Sequence, residues 1–599
     1  MNRRKKKAAG FFTLLLAGLL LTGCEGSTGS WGFPEPLVSP DETYEKTDSA
    51  ADSHLEDKLS LYEEDDLPMV TMYLTVGQGN ADDGTNHTWA EVNAYSFEEY
   101  EEMGLDSPYQ CEAVLQVGDE AGPVQGEFGY GVTAANAVVQ IRGENASEQE
   151  QKSYRIDIKQ GKGKWEDQKV VTLNKHVGDP LRITNKLCYS LMEGIPGMFS
   201  ARTRFVHLYV KDKTEGEDGL FVDYGLFTQT EQINKTYLKN HGLDEDGNLY
   251  KAENFDWGRH EDSIQPATAS SFDQDAFEQY LEIKGSNNDH SGLIEMLEAV
   301  NDPSRNIREV LDTYFDRKNL YSWMAFHMLI GNKDTAHGSY YLYKPQAMDK
   351  WYFISWNNSG AFSEIFTRMR DEGYSASWST GIFTYTGNVL FERIFQDEKC
   401  REEFADTVEL LYEEYLTPEK IASLAEPMLL EVQKQVYSLP DSLHVKVTRE
   451  EQEQIVREMA QETERNFYLF WESLEQPWPF HILEPQAEED ALTLCWEEAY
   501  CFQDPEEKTP VTYTVELADN YRFQDCIAKE SKVEGTSLTV QKLPPGQYFI
   551  RVRAETSTGS SQDACEHYYT EQGTTIYSTQ CFYIHEDGSA ELSLYTEED

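Results

Sequence analysis

Apolar positions change their rhythm twice along this chain. Between 67 and 251 they come in short runs, Met69 to Leu74, Ala113 to Val117 and Ala137 to Ile141, separated by Gly and Asn. Their β-branched and aromatic content predicts strands. Lys152 to Ile158 alternates like a further strand after a turn at Arg142 to Ser147, and Phe205 to Val210, Leu220 to Glu231 and Asn248 to Lys251 continue the series. One helix interrupts it, at Pro180 to Met192. After Phe272 the period becomes helical: Ile307, Val310, Leu311, Tyr314 and Phe315 share one face, and Leu320 to Leu329 is apolar nearly all round, which predicts a buried helix. Thr417-Pro418-Glu419 reads as an N-cap followed by Pro at the first helical position, and Thr448 with Glu451 reads as a capping box opening a long helix that Pro477 ends. From 480 the period falls to two, in Leu492, Leu494 and Trp496, in Val511 to Leu517, and in Tyr548, Ile550 and Val552. Alternating strands between Pro and Gly turns predict an all-β sandwich over 480–599.

The buried helix delivers Asn332-Lys333-Asp334 to its end, and Tyr340 to Tyr343 and Trp351 to Trp356 then read as two strands running into Asn357-Asn358-Ser359-Gly360. Helix end, loop, strand, turn, strand is the layout of a phosphoryl-transfer site. In it one carboxylate orients the acceptor hydroxyl and a second, after a strand, holds the metal on the phosphates. Asp334 stands in the first place; an amide stands in the second.

The amino terminus changes the picture of where the chain works. Arg3 to Lys7 are basic, Phe11 to Leu21 form an apolar run too short for a typical spanning helix, and Leu21-Thr22-Gly23-Cys24 follows. That tetrad resembles the bacterial lipobox, so 1–23 reads as a signal peptide and Cys24 as the acylated residue that anchors the chain at the outer face of the membrane. Residues 24–66, rich in Ser, Gly, Pro, Asp and Glu, read as a disordered acidic tether, about forty residues with a reach of roughly 35 Å. With 51 basic against 107 acidic residues the formal charge is −56, a surface that repels nucleic acid. Eight further cysteines form no C-x-x-C pair of metal-ligand spacing, and five of them fall after 490, where an exported chain has the option of disulfides. No Walker loop, G-x-S-x-G or paired zinc histidines occur, and Asp244 to Asn248 is an acidic turn without the closing carboxylate of a calcium loop.

Several pieces recur in a fixed order: Arg142-Gly143 with Asn145 and Ser147, Lys152-Ser153-Tyr154-Arg155, Leu173-Asn174, Asp179 with Leu181-Arg182, Gly225 to Phe227, Glu231-Gln232-Ile233, Leu249-Tyr250-Lys251, Asn332, Asp334, Leu342-Tyr343 and Trp356. By these pieces residues 67–477 resemble the CotH family, secreted atypical protein kinases of the spore-coat type. The resemblance implies an α+β, kinase-like fold with a β-rich N-lobe at 67–271 and a helical C-lobe at 272–479. It also implies transfer of phosphate from ATP, with Mg2+ or Mn2+, to serine or threonine of exported or coat proteins. By position Asp334 is then the catalytic-loop carboxylate with Asn332 beside it, Arg142 and Lys152 are candidates for the phosphates, and Glu231 is a candidate to orient such a cation. The C-terminal stretch Leu543-Pro544-Pro545-Gly546-Gln547-Tyr548, with a tryptophan upstream, resembles a fibronectin type III domain, in which such a tyrosine makes a corner hydrogen bond.

Departures from the family matter most at Trp356-Asn357-Asn358-Ser359, where relatives carry Asp, one residue and Asp after the tryptophan. Asn357 is thus a degenerate metal position, since an amide brings no charge to offset Mg2+. Three readings stay open. The chain is an active surface kinase using ATP and metal, or a pseudokinase-type scaffold without cofactor, or an adhesion and envelope-binding lipoprotein whose sandwich does the binding. Residues 252–271, polar and rich in small side chains, are a candidate lid over the cleft.

Overall fold

The computed structural model describes residues 54–63, 68–105, 107–216, 219–332, 338–362, 380–502, 511–570 and 574–593. It is a mixed α+β structure. The early strands are β1 (Val70–Gly77), β2 (Cys111–Asp119), β3 (Gly122–Pro123), β4 (Ala137–Arg142), β5 (Ser153–Ile158), β6 (Val170–Asn174), β7 (Thr203–Asp212) and β8 (Phe221–Glu231). They pair in the order β1-β7-β8-β6-β5-β4-β2, with β3 as a short arm on β2, and β1 pairs again with β2. The ring therefore closes into a barrel with only β1 and β7 parallel. Closure leaves no unpaired edge and explains the alternation: Cys111, Ala113, Leu115 and Val117 point inward, as do Val139, Ile141, Ile156 and Leu208, and together they form one core.

A second core holds the rest of the first 480 residues. It includes α1 (Thr184–Met192), every residue of which is buried, and α2 (Arg317–Leu329), buried from Asn319 onward. Beside α2 lies a second sheet of order β10-β9-β11-β12, with β9 (Asn248–Glu253), β10 (Leu281–Ile283), β11 (Ser339–Lys344) and β12 (Tyr352–Ser355). β9 thus pairs with β11 across the position 271 at which the sequence pattern changes. β12 is the edge, and Asn319 of α2 closes it: its Oδ1 accepts from Phe353 N at 2.6 Å and its Nδ2 donates to Phe353 O at 3.0 Å. The helices α3 (Pro418–Val436) and α4 (Arg449–Glu475) start where their caps predict, Thr417 accepting from Lys420 N at 3.1 Å and Thr448 forming a capping box with Glu451.

Two expectations change. Part of the stretch 24–66, read as a tether, is docked: among residues 54–63, Tyr62 is buried, the Asp57 side chain is enclosed and accepts from Ser200 N at 3.0 Å, and His54 Nδ1 lies 2.8 Å from Asp316. Low apolar content hid this, because the segment is held by polar bonds. The candidate lid 252–271 is likewise pinned, with Phe255, Trp257 and Ile264 fully buried and Trp257 Nε1 donating to Tyr340 Oη at 2.9 Å.

After Trp478 the strands at 482–496 and 537–541 form one sheet and those at 512–533, 546–555 and 580–592 another, and the two share a core of Leu494, Trp496, Val515, Ile550 and Phe582. None of the eight described cysteines is disulfide-bonded. Tyr548 Oη donates to Pro544 O at 2.9 Å, locking the turn before its strand. Tyr548→Phe is expected to lower sandwich stability by about 1 kcal/mol, the net worth of one such bond, read as a lower denaturant midpoint of that transition.

Candidate active site

At the end of α2, Gly331 adopts φ 61°, the left-handed turn that glycine takes without strain, and Asn332 follows with 1% exposure. The Asn332 amide donates to His327 Nδ1 at 3.2 Å and approaches Asn357 O and Asn358 Oδ1 at 3.5 Å each. His327 in turn reaches Ser355 Oγ through Nε2 at 2.8 Å, and burial holds its pKa near 3, so it is neutral. β12 meanwhile delivers Trp356 and then Asn357, whose φ of 56° is one that asparagine tolerates. Its Oδ1 is taken by Ser359, from Oγ at 2.6 Å and from N at 3.3 Å. Asn358 is fully buried and its N donates to Asn185 Oδ1 of α1 at 3.3 Å.

The barrel approaches this turn through Arg142, the last residue of β4, whose guanidinium stands 5.9 Å from the Trp356 ring. Arg142 donates to Asn174 Oδ1. Asn174 and Asn185 both donate to Thr230 Oγ1, at 3.2 and 3.3 Å. A continuous polar path therefore runs from Arg142 through Asn174, Thr230, Asn185 and Asn358 to Asn332, across the line where barrel and helical half meet. Burial lowers the Arg142 pKa to about 10, and it stays cationic at neutral pH.

The remaining expected site residues lie elsewhere. Lys152 spends its ammonium on Ser147 O and has Glu99 as its charged neighbour, and among the described residues no side-chain bond joins it to the path. Glu231 orients neither Lys152 nor Arg142. It is buried and holds Arg202, at 2.6 and 3.0 Å, and His241 Nε2 at 3.1 Å. Burial works against its charge, but these bonds outweigh it and hold the carboxyl near pKa 2. Asp334 and Cys24 lie outside the described residues.

Two features escaped the sequence reading. Lys175 forms an ion pair with Asp441 at 2.7 Å, with 2% and 1% of the side chains exposed. Arg182 donates to the Lys175 carbonyl, and His176 beside it adopts φ 49°. A run of Asn174-Lys175-His176 leaving a strand was the available signal, but Asp441 lies too far along the chain for any spacing argument.

A profile of the family described as CotH kinase protein matches residues 139–465, more than half of the chain and all of the polar path. The chain belongs to the CotH kinase family. No curated protein matches it. CotH membership suggests ATP and a divalent metal. The described residues of this CotH site do not fit the metal: the Asn357 oxygen is closed on Ser359, Asn358 is turned into the amide cluster, and no group of three or more His, Cys, Asp or Glu side chains arranged to hold a metal ion lies among the described residues.

Proposed function

We propose that this is a kinase-like two-lobe CotH domain, the barrel as N-lobe and the helical half as C-lobe. It holds the phosphates of a nucleotide in its cleft and is impaired in transferring them. The carrying observation is the Asn357–Ser359 contact at 2.6 Å, which spends on a local turn the position where relatives place a metal carboxylate. A lipid anchor at Cys24 would set the domain at the outer face of a bacterial membrane, with exported or envelope proteins as partners. The tyrosine-corner bond of Tyr548 supports a fibronectin type III-like module at 480–599, a spacer or docking surface.

The test uses the soluble chain 25–599 with ATP and Mg2+ or Mn2+. Phosphate release and protein phosphorylation are expected to stay at background in the native chain. The pair Asn357→Asp and Ser359→Asp is expected to add a metal-dependent rise in thermal stability, about 2.7 kcal/mol at a hundredfold excess over Kd. Metal-dependent transfer by the native chain would overturn the reading.

A further inference from the structure

The sandwich does not hang from the helical half as a free module. Trp478, in the connection between α4 and the first sandwich strand, is 4% exposed and donates from N to Tyr500 O at 2.7 Å. On the sandwich side its ring stacks on Tyr500, with centroids 6.0 Å apart, and meets Phe502 at 5.7 Å. On the helical side it meets Phe383 edge-on at 5.7 Å and Phe395 at 6.5 Å. The Arg401 guanidinium covers the Phe502 ring at 4.4 Å. An aromatic plug therefore joins the two cores.

Beside the plug, acids converge across the same joint. Glu392, on the helix Val389–Gln396, is 7% exposed and accepts from Gly387 N at 2.7 Å. His481 and Glu497 face it from the sandwich side, and the Tyr500 hydroxyl and the Cys565 thiol also lie within range of its charge. His481 Nδ1 is 3.0 Å from Glu566 Oε1, and its N donates to Glu497 Oε2 at 3.0 Å. Glu566 Oε1 accepts from Ile482 N at 3.0 Å as well, while its Oε2 is buried without a hydrogen-bond partner among the described residues. The basic side chains on the helices are committed elsewhere. Arg393 donates to the carbonyls of Ala299, Val300 and Arg305, and Arg401 donates to Phe395 O with Glu398 and Asp397 as its acids. One imidazole is left to face the carboxylates of Glu392, Glu497 and Glu566.

We infer that the sandwich docks on the helical half through a proton-dependent joint: the cluster of Glu392, His481, Glu497 and Glu566 closes while Glu392 carries its proton and loosens when it ionises. A neutral Glu392 does not repel its two acidic neighbours, whereas an ionised one leaves three negative charges to share a single cation. Burial, with the charge of Glu497, pushes the Glu392 carboxyl up to about 7 against the Gly387 bond and His481. For His481 partial burial works against the charge, but Glu566, Glu497 and Glu392 outweigh it and raise the imidazole to about 9. Its ring is half-exposed, so solvent screens this second contribution and Glu392 carries the larger one. Freed from the joint, the two groups return toward 4.5 and 6.5. An acid raised by docking favours the docked state fully below 4.5 and loses that preference as pH climbs to about 7. A histidine raised by docking contributes fully below 6.5 and loses its share toward about 9. Both act in one direction, and the joint loosens as the medium turns alkaline.

Calorimetric melting and small-angle scattering of chain 25–599, at about pH 5.5 and about pH 9, test the joint. The two halves are expected to melt together at the lower pH and in two separate transitions at the higher, with a larger radius of gyration before melting. The docking constant should fall by about tenfold or more from Glu392 alone. Glu392→Gln, neutral throughout, should keep most of the docking at the higher pH. Trp478→Ala, which removes the plug, should show the expanded form already at the lower pH. The His241 clasp acts on residues 54–63 and is untouched by Glu392→Gln, so a difference between that variant and the native chain belongs to the joint. The same melting pattern and radius at both pH values in the native chain would overturn the inference, as would a Glu392→Gln chain that responds to pH as the native one does. Native scattering by Trp478→Ala at the lower pH would show that the sandwich is not held here at all.

Discussion

Asp441→Ala should destabilise the chain by about 3–5 kcal/mol, the cost of stranding a buried charge. Asp441 sits just beyond α3 and reaches across to the barrel. It pairs with Lys175 at 2.7 Å and accepts from Leu226 N of β8 at 2.6 Å. Room for it exists because residue 225 is glycine: a Cβ there would stand 2.0 Å from the carboxylate, and its φ of 74° also favours glycine. Without Asp441, Lys175 keeps Tyr224 O at 2.6 Å, the face of Phe227 at 4.3 Å and the charge of Asp223 farther off. Burial already pulls the lysine pKa down to about 8 against the support of Asp441, so in the variant it sheds its proton more easily, which limits the loss. For a unit of about 400 residues the melting temperature should fall by about 4–6 °C. Lys175→Met combined with Asp441→Leu should recover much of it, because an apolar pair leaves no charge stranded. A melting temperature unchanged in Asp441→Ala would show that the pair does not hold the barrel to the helical half.

His241→Phe should have a comparable effect, with a signature in pH. His241 is fully buried, with Nδ1 at 2.6 Å from Asp57 and Nε2 at 3.1 Å from Glu231, and stacks on Tyr237 at 3.9 Å. Burial alone would lower its pKa, but the bonds from Asp57 and Glu231 outweigh burial and raise it. A raised folded pKa means that its contribution is complete below the unfolded value of about 6.5 and is lost as pH rises through the folded value. Glu231, held near 2, contributes above its unfolded pKa of about 4.5 and loses that contribution as pH falls toward 2. The clasp is therefore strongest between about pH 4.5 and 6.5. The native chain should lose stability as pH rises above about 6.5, whereas His241→Phe should be roughly 3–5 kcal/mol less stable near pH 6, with a flatter slope. Because Asp57 belongs to the docked segment, the variant should also expose residues 54–63 to limited proteolysis. Equal pH slopes in the two proteins would remove His241 as the titrating group.

These two contacts also mark where sequence reading ends. Lys175 and Asp441 are 266 positions apart, and Asp57 meets His241 only because a polar segment folds back onto the structure. Neither pair leaves a periodic trace. The choice between Arg142 and Lys152 is similar. Both flank the same β4–β5 connection, yet the first reaches Trp356 and the second turns back to Ser147. Glu231 shows the converse error: an acid at a strand end looks free to orient any cation, and the fold assigns it Arg202.

The sequence by itself determined the local elements and the kind of chemistry at stake. A short β-branched run marked β4 and alternation marked β5, a nearly all-apolar run marked α2 as buried, Thr417 and Thr448 marked helix starts, and the ordered CotH pieces marked the family. It also placed Asn357 and Ser359 at the two positions where the resemblance to the family leads one to expect acids. All of these are short-range signals, set by side-chain period and by capping bonds within a few residues. Tertiary structure alone decided that β1 closes the barrel between β2 and β7, that β9 joins β11, and that Asn332, Asn358, Asn185 and Arg142 lie on one polar path. Those outcomes depend on which distant surfaces bury each other and on where each buried polar atom finds its partner, and period and composition carry no record of either.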